Sequence, residues 1–178
     1  MDIFEQKAVL QTFGVLADSR EQPTPRSKRR YASMKVPVER ATLDYGDYTY
    51  NATLPNGTAL YDITQRIMPR ISIERKESLD ELAQCFTRSR DRFRREFERA
   101  AEQNARIFLI VENATWENLI NGRYRSRFNP NAFVASITAF TIRYNMGLLF
   151  CKEDTSGRLI KELLYRDLKE RLERGEFG

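Results

Sequence analysis

Two hydrophobic periods alternate along this chain, and their order predicts the architecture. Phe13 to Ala17 is a short apolar run that stops on Asp18-Ser19-Arg20-Glu21, which predicts a first strand. A second strand is approached through Ala41-Thr42-Leu43 and meets Asp44-Tyr45-Gly46-Asp47-Tyr48-Thr49-Tyr50, with a bend expected at Gly46. Asn56-Gly57 then reads as the turn of a β-hairpin whose returning strand leads through Met68-Pro69-Arg70 into Ile71-Ser72-Ile73-Glu74. From Leu79 the period lengthens. Leu79, Leu82, Ala83 and Phe86 follow i, i+3, i+4, i+7, one face of a helix, and Phe93, Phe97, Ala100 and Ala101 carry a second helix. The unbroken apolar centre of Arg106-Ile-Phe-Leu-Ile-Val-Glu112 predicts a buried strand. Helices are expected at about 115–120 and 131–144, a strand at 147–151, and a last helix at about 156–174.

The stretch Glu21-Gln-Pro-Thr-Pro-Arg-Ser-Lys-Arg-Arg30 holds two prolines and four basic residues, and reads as a loop or a poorly ordered arm. No internal repeat and no long linker divides the chain. Strands and a hairpin come first and α and β alternate afterwards, so the expectation is one α/β domain over residues 1–178, with a core from about 13 to 171.

Ile71-Ser-Ile-Glu-Arg-Lys-Glu-Ser-Leu-Asp80 is the stretch with chemical content. Side chains alternate along a strand, so Ser72, Glu74 and Lys76 share one face while Ile71, Ile73 and Arg75 take the other. A carboxylate and an ammonium two residues apart at a strand end can hold a metal and a water side by side. An acid from a neighbouring strand would complete an oxygen site for a hard divalent cation. Asp47 is placed for this, because its strand, the hairpin and the Glu74 strand follow one another and neighbour in the sheet. Each acid also has a plainer reading: Glu-Arg-Lys as a solvated strand edge, Asp47 after glycine as turn chemistry, Asp18 as a turn cap.

Composition narrows the chemistry. The chain has no histidine, which excludes His-based triads, general bases and zinc-hydrolase sites. Thirty Lys and Arg against 25 Asp and Glu leave a net charge of +5, which favours a polyanionic partner. Cys85 and Cys151 have no metal-type spacing and read as reduced thiols, and no signal peptide or membrane span is evident, so a cytoplasmic location is expected (nucleoid- or nucleus-associated).

Three motifs, Asp18-Ser-Arg-Glu21, Leu43-Asp-Tyr-Gly-Asp-Tyr48 and Glu74-Arg-Lys-Glu-Ser-Leu-Asp80, together resemble the nuclease domain of XPF-type structure-specific endonucleases in order and spacing. The resemblance implies a restriction-endonuclease-like core, a central mixed sheet flanked by helices, here with an inserted β-hairpin. It also implies cleavage of DNA phosphodiester bonds, at branched or flap structures in DNA repair or recombination, with Mg2+ or Mn2+. Asp47 and Glu74 correspond to metal ligands with the backbone carbonyl of Arg75, and Asp18 is a further ligand position. Lys76 corresponds to the residue that orients or deprotonates the attacking water. Asp18, Arg20 and Glu21 resemble the surrounding shell, and Asp80 the closing residue of the motif. Members of the family commonly carry helix-hairpin-helix modules, and none is expected within these 178 residues. A DNA-binding subunit without activity and an RNA-cleaving nuclease are the alternatives; the presence of Asp47, Glu74 and Lys76 speaks against the first.

Backbone grip is expected from Arg88, Arg90, Arg92, Arg94 and Arg95, from Arg26, Lys28, Arg29 and Arg30, and from Arg123, Arg125 and Arg127 interleaved with Tyr124 and Phe128. Glu96, Glu98 and Glu102 are expected as pairing partners of the helix arginines. The resemblance further implies a homodimer through the C-terminal helices and last strand, and two apolar stripes are available to make it. One runs through Phe133, Ile137, Phe140 and Tyr144, the other through Leu159, Ile160, Leu163, Leu164, Leu168 and Leu172.

Overall fold

The computed structural model describes residues 1–177. Six strands form one mixed sheet: β1 (Gly14–Asp18), β2 (Val38–Ala41), β3 (Tyr48–Asn51), β4 (Ile71–Lys76), β5 (Arg106–Glu112) and β6 (Gly147–Cys151), in the order β2-β1-β3-β4-β5-β6. β3 runs antiparallel to both of its neighbours, β1 and β4, while β4, β5 and β6 are parallel. The parallel strands need crossovers, and the period change at Leu79 supplies them. Helices α3 (Leu79–Phe86) and α4 (Arg90–Glu102) carry the chain from β4 to β5, and α5 (Trp116–Ile120) and α6 (Pro130–Arg143) carry it from β5 to β6.

Strand alternation divides the interior in two. Ile107, Leu109 and Val111 of β5 join Leu82, Phe86, Phe93, Phe97, Phe133 and Phe140 on one side of the sheet. Here aromatic edges meet faces, as in Phe86–Phe140 at 5.0 Å and Phe97–Phe140 at 5.3 Å. Ile71, Ile73 and Ile110 face the other way, onto Ile160, Leu164, Leu168 and Leu172 of α7 (Glu153–Glu173), with α1 (Ile3–Gln11) and α2 (Pro25–Met34) completing that layer.

Several expectations change here. The proline-containing stretch is not an arm but helix α2, with Thr24 as N-cap and Pro25 in its first turn, where a missing N–H costs nothing. It packs closely on α7, because Gly157 lets the α2 backbone approach: a Cβ there would lie 2.4 Å from the Arg30 carbonyl oxygen. The N-terminal helix α1, absent from the sequence expectation, starts on an Asp2–Glu5 capping box and buries Val9. The Asn56-Gly57 turn forms and the inserted hairpin is short: it pairs through the Thr53–Ala59 bridge, with Leu54 N–H donating to the Thr58 carbonyl at 2.8 Å and Leu60 N–H to the Ala52 carbonyl at 2.7 Å. Most of both apolar stripes enters the core: Phe133, Ile137, Ile160, Leu164 and Leu168 are fully buried and Phe140 and Leu172 nearly so, while Tyr144, Leu159 and Leu163 stay half-buried. Among the described residues no helix is long and apolar enough to cross a membrane.

Candidate active site

The site begins with a glycine. Gly46 sits at φ +72°, and a Cβ there would fall 1.8 Å from Ser72 Oγ, so only glycine fits. Ser72 Oγ donates to the carbonyls of Tyr45 (2.9 Å) and Tyr48 (3.0 Å), stapling the bend onto β4. The bend delivers Asp47 between β1 and β4: its N–H donates to the Ile73 carbonyl at 2.7 Å, and its carbonyl accepts from Asp18 N–H at 2.8 Å. Asp47 Oδ2 accepts the Arg75 N–H at 2.8 Å, so the carboxylate stands beside the last residues of β4.

On that face Glu74 is 3% exposed. Its Oε1 receives Lys76 Nζ at 2.5 Å, whereas its Oε2 is buried with no hydrogen-bond partner. A buried carboxylate oxygen without a partner is expensive and rare in native proteins. Burial raises Glu74, with the Lys76 ammonium opposing. Burial also pushes Asp47 up to about 7, helped by the Glu74 charge. For Lys76 burial favours the neutral amine, but the Glu74 and Asp47 carboxylates outweigh it and the pKa is raised. In this arrangement Lys76 is an ammonium held against Glu74.

Glu96 of α4 is the residue that sequence reasoning misassigned. It does not pair with a helix arginine; its Oε1 accepts the Gly46 N–H at 2.7 Å, and it lines the same cleft of about 350 Å³ as Asp47, Glu74 and Lys76. Burial and the Asp47 charge raise its pKa. The available signal was its position three residues after Phe93 and one before Phe97, a carboxylate at the edge of a core-facing stripe. Arg94 does pair along the helix, with Asp91 and Glu98.

The remaining predicted residues separate into roles. Asp18 and Arg20 reach the cleft, and both Asp18 oxygens accept from the Arg20 guanidinium, so Asp18 holds Arg20 in place at the cleft. Glu21 accepts from Tyr48 (2.6 Å), Tyr31 (2.5 Å) and Arg30 (3.0 Å). Arg75 extends to the opposite sheet face and meets Glu112 at 3.1 Å, leaving its Nε buried and unpartnered. Arg30 is not available to nucleic acid: it is 4% exposed and spans Glu21 and Glu112 in the same network. Asp80 lies outside the acid cluster, where it accepts from Ser126 N–H at 2.7 Å. Arg29 is exposed and 3.7 Å from Glu153, and Arg26 is paired with Glu77 and Glu153. Arg88, Arg90, Arg92, Arg95, Arg123 and Arg125 are exposed, with Arg92 on the cleft rim.

Among the described residues no three His, Cys, Asp or Glu side chains form a ready metal cage. The fit of a divalent cation rests instead on two carboxylates, the unpartnered Glu74 Oε2 and the Asp47 carboxylate beside Arg75, a hard-oxygen set of the kind magnesium and manganese take with water filling the rest.

Two solved structures of XPF from Aeropyrum pernix, one of them in complex with DNA, are similar to the chain, at 25% and 26% identity and TM-scores of 0.56 and 0.57. They match over 84% and 86% of this chain, which spans 64% and 63% of theirs. No curated protein matches at a comparable level. The ERCC4 domain model matches residues 17–163, which take in the Asp18 motif, the Gly46-Asp47 bend and the Glu74-Arg75-Lys76 strand end, and the chain belongs to the ERCC4 domain family.

Proposed function

We propose that this domain is a divalent-cation-dependent endonuclease that hydrolyses DNA phosphodiester bonds, with branched or flap structures as substrates in repair or recombination. The observation that carries the reading is the buried, unpartnered Glu74 Oε2 held beside Asp47 and the Lys76 ammonium at the base of one open cleft. Asp47, Glu74 and the Arg75 carbonyl would hold Mg2+ or Mn2+, which supplies Lewis acidity toward a phosphoryl oxygen and a lowered pKa for a bound water. Lys76 sets a fixed positive charge beside the anionic substrate, and Arg92 and Arg99 at the cleft wall add to it. Glu96 keeps the Gly46-Asp47 bend in place through its hydrogen bond.

The test is a cleavage gel with end-labelled single-stranded, duplex, flap and splayed-arm DNA, and RNA, each with magnesium, manganese or EDTA. Cutting of DNA only in the metal lanes is expected. A folded protein that binds DNA but cuts nothing with either metal would reduce the domain to a non-catalytic binding module, and cutting of RNA alone would change the substrate.

A homodimer belongs to the same proposal, with the last strand and the exposed face beside it as its seat. β6 is an outer strand of the sheet, its Leu148, Leu149 and Phe150 are half-buried, and Ile142 on the preceding helix is 85% exposed.

A further inference from the structure

The last residue of the Glu-Arg-Lys motif and the arginine-rich segment after α5 are far apart in sequence and joined in the fold. Asp80 Oδ1 accepts the Ser126 N–H at 2.7 Å, and its Oδ2 lies 3.5 Å from Arg125 Nε. The same segment is locked from within: Tyr124 Oη donates to the Phe128 carbonyl at 2.8 Å and Phe128 N–H donates to Ser126 Oγ at 3.2 Å. Both rings rest on Phe133, at 5.4 and 5.1 Å. Burial then alternates residue by residue, with Tyr124, Ser126 and Phe128 half-buried and Arg123, Arg125 and Arg127 exposed. A loop with this many anchors presents three guanidinium groups on a rigid base, so little ordering entropy is lost when they meet a ligand. Arg125 and Arg127, with Arg88 across from them, line a cleft of about 620 Å³ whose one carboxylate, Asp80, is shared between the loop backbone and Arg125.

The position of this cleft selects its ligand. Asp80 and Glu81 are consecutive on α3, about 100° apart around the helix, with Asp80 on the arginine cleft and Glu81 on the catalytic one. The two clefts thus flank one helix that is about 10–12 Å across, and that helix starts directly after the Lys76 strand end. A strand leaving the catalytic cleft over the first turn of α3 arrives at the arginines.

We propose that the loop 121–128, held in place by Asp80, is a second contact surface for the phosphodiester backbone of a single nucleic-acid strand; it rests on the nuclease reading only for the choice of nucleic acid as the partner. Asp80 is a positioning residue in this scheme, and the closing Asp of the motif serves grip.

The test is fluorescence anisotropy in EDTA, which separates it from cleavage, using labelled single-stranded DNA, duplex DNA and single-stranded RNA over a salt series. Replacing Arg123, Arg125 and Arg127 together by Ala should lower the slope of log K against log salt for single strands by about 2, at ~0.7 per phosphate contact, and weaken binding roughly tenfold or more. An unchanged slope overturns the proposal, and a loss confined to duplex overturns the single-strand assignment. Equal losses for DNA and RNA single strands are expected from backbone contact. Asp80 is tested by sign. Asp80→Asn keeps an acceptor for Ser126 N–H and removes a negative charge, so affinity should hold or rise. Asp80→Ala removes the anchor as well, and affinity should fall even though a negative charge is gone. A rise in both variants overturns the positioning role, and the arginine variant, changed only at exposed positions, decides the surface if Asp80→Ala folds poorly.

Discussion

Asp47→Asn should make the metal-free protein more stable, and the gain should grow with pH. Asp47 is carried from its ordinary 3.8 to about 7 by burial and by Glu74. A carboxylate whose folded pKa is raised favours the fold while protonated; that contribution is full below the unfolded value and is lost as pH rises through about 7. At about 1.4 kcal/mol per pKa unit the ceiling is ~4 kcal/mol at pH 8. Asp47 lines an open cleft and keeps contact with solvent, which cuts this to an expected ~1–3 kcal/mol. Asn is isosteric and still offers an oxygen to the Arg75 N–H, so the fold loses no acceptor there.

Thermal and urea unfolding in EDTA at pH 8 and pH 4.5 measures the effect. A domain this size shifts by roughly 2–4 °C per kcal/mol, so a rise of about 2–12 °C is expected at pH 8. At pH 4.5 the gain should shrink to about 1 kcal/mol or less. Magnesium or manganese should stabilise the wild type instead, by about 2.7 kcal/mol at a hundred times the dissociation constant. Asp47→Asn and Glu74→Gln should both blunt that response. A variant no more stable than wild type at pH 8, or a gain equal at both pH values, would refute the crowding of charge on which the metal site is argued.

Lys76→Ala should abolish cleavage on the gel while leaving DNA affinity in EDTA within about twofold, because the side chain faces Glu74 at the cleft base rather than the rim; wild-type turnover would remove it from the chemistry. Arg30→Ala should cost ~1–3 kcal/mol in urea unfolding, because Glu112 keeps Arg75 and Glu21 keeps Tyr31 and Tyr48 but each loses a buried charged partner, whereas the exposed neighbour Arg29→Ala should stay within ~0.5 kcal/mol; equal effects would contradict the buried network. Light scattering coupled to size exclusion should give a mass that rises toward twice the monomer with loading, and Ile142→Glu should return it to monomer; a constant monomer mass removes the β6-edge interface.

Much of this fold was legible because strands such as Ile71–Lys76 and Arg106–Glu112 show their burial in their own residues. What escaped depended on partners distant in sequence. The prolines at 23 and 25 look like breakers until Thr24 is seen as a cap, after which Pro25 opens a helix. Apolar period reveals that Phe133 and Leu164 face something, but not that the sheet already covers them. Charge behaves the same way. Arg30 sits in a run of basic residues, and only the arrival of Glu112 from β5 draws it inside. Glu96 was hidden by the arginines around it, since local spacing offers i, i+4 partners and cannot display the Gly46 amide fifty residues earlier.

Alternation at the end of β4 explains why three consecutive charges can be needed there. Glu74 and Lys76 enter the α3–α4 side, where the carboxylate oxygen has no partner and the ammonium lies 5.6 Å from the Phe93 ring centre. Arg75 enters the α2–α7 side and ties the strand to Glu112, which Arg30 also holds. Arg30 reaches Glu21 as well, and Glu21 lines the same cleft as Asp47 and Glu74. The strand end is thus fixed from behind by a buried ion network while its front face keeps an oxygen unsatisfied. An apolar residue at position 75 would pack, but it would release the backbone whose N–H holds Asp47. Rigid placement of the two carboxylates, rather than stability, is what the middle arginine provides, and a buried charge network retained for geometry is consistent with its limited worth as a stabiliser.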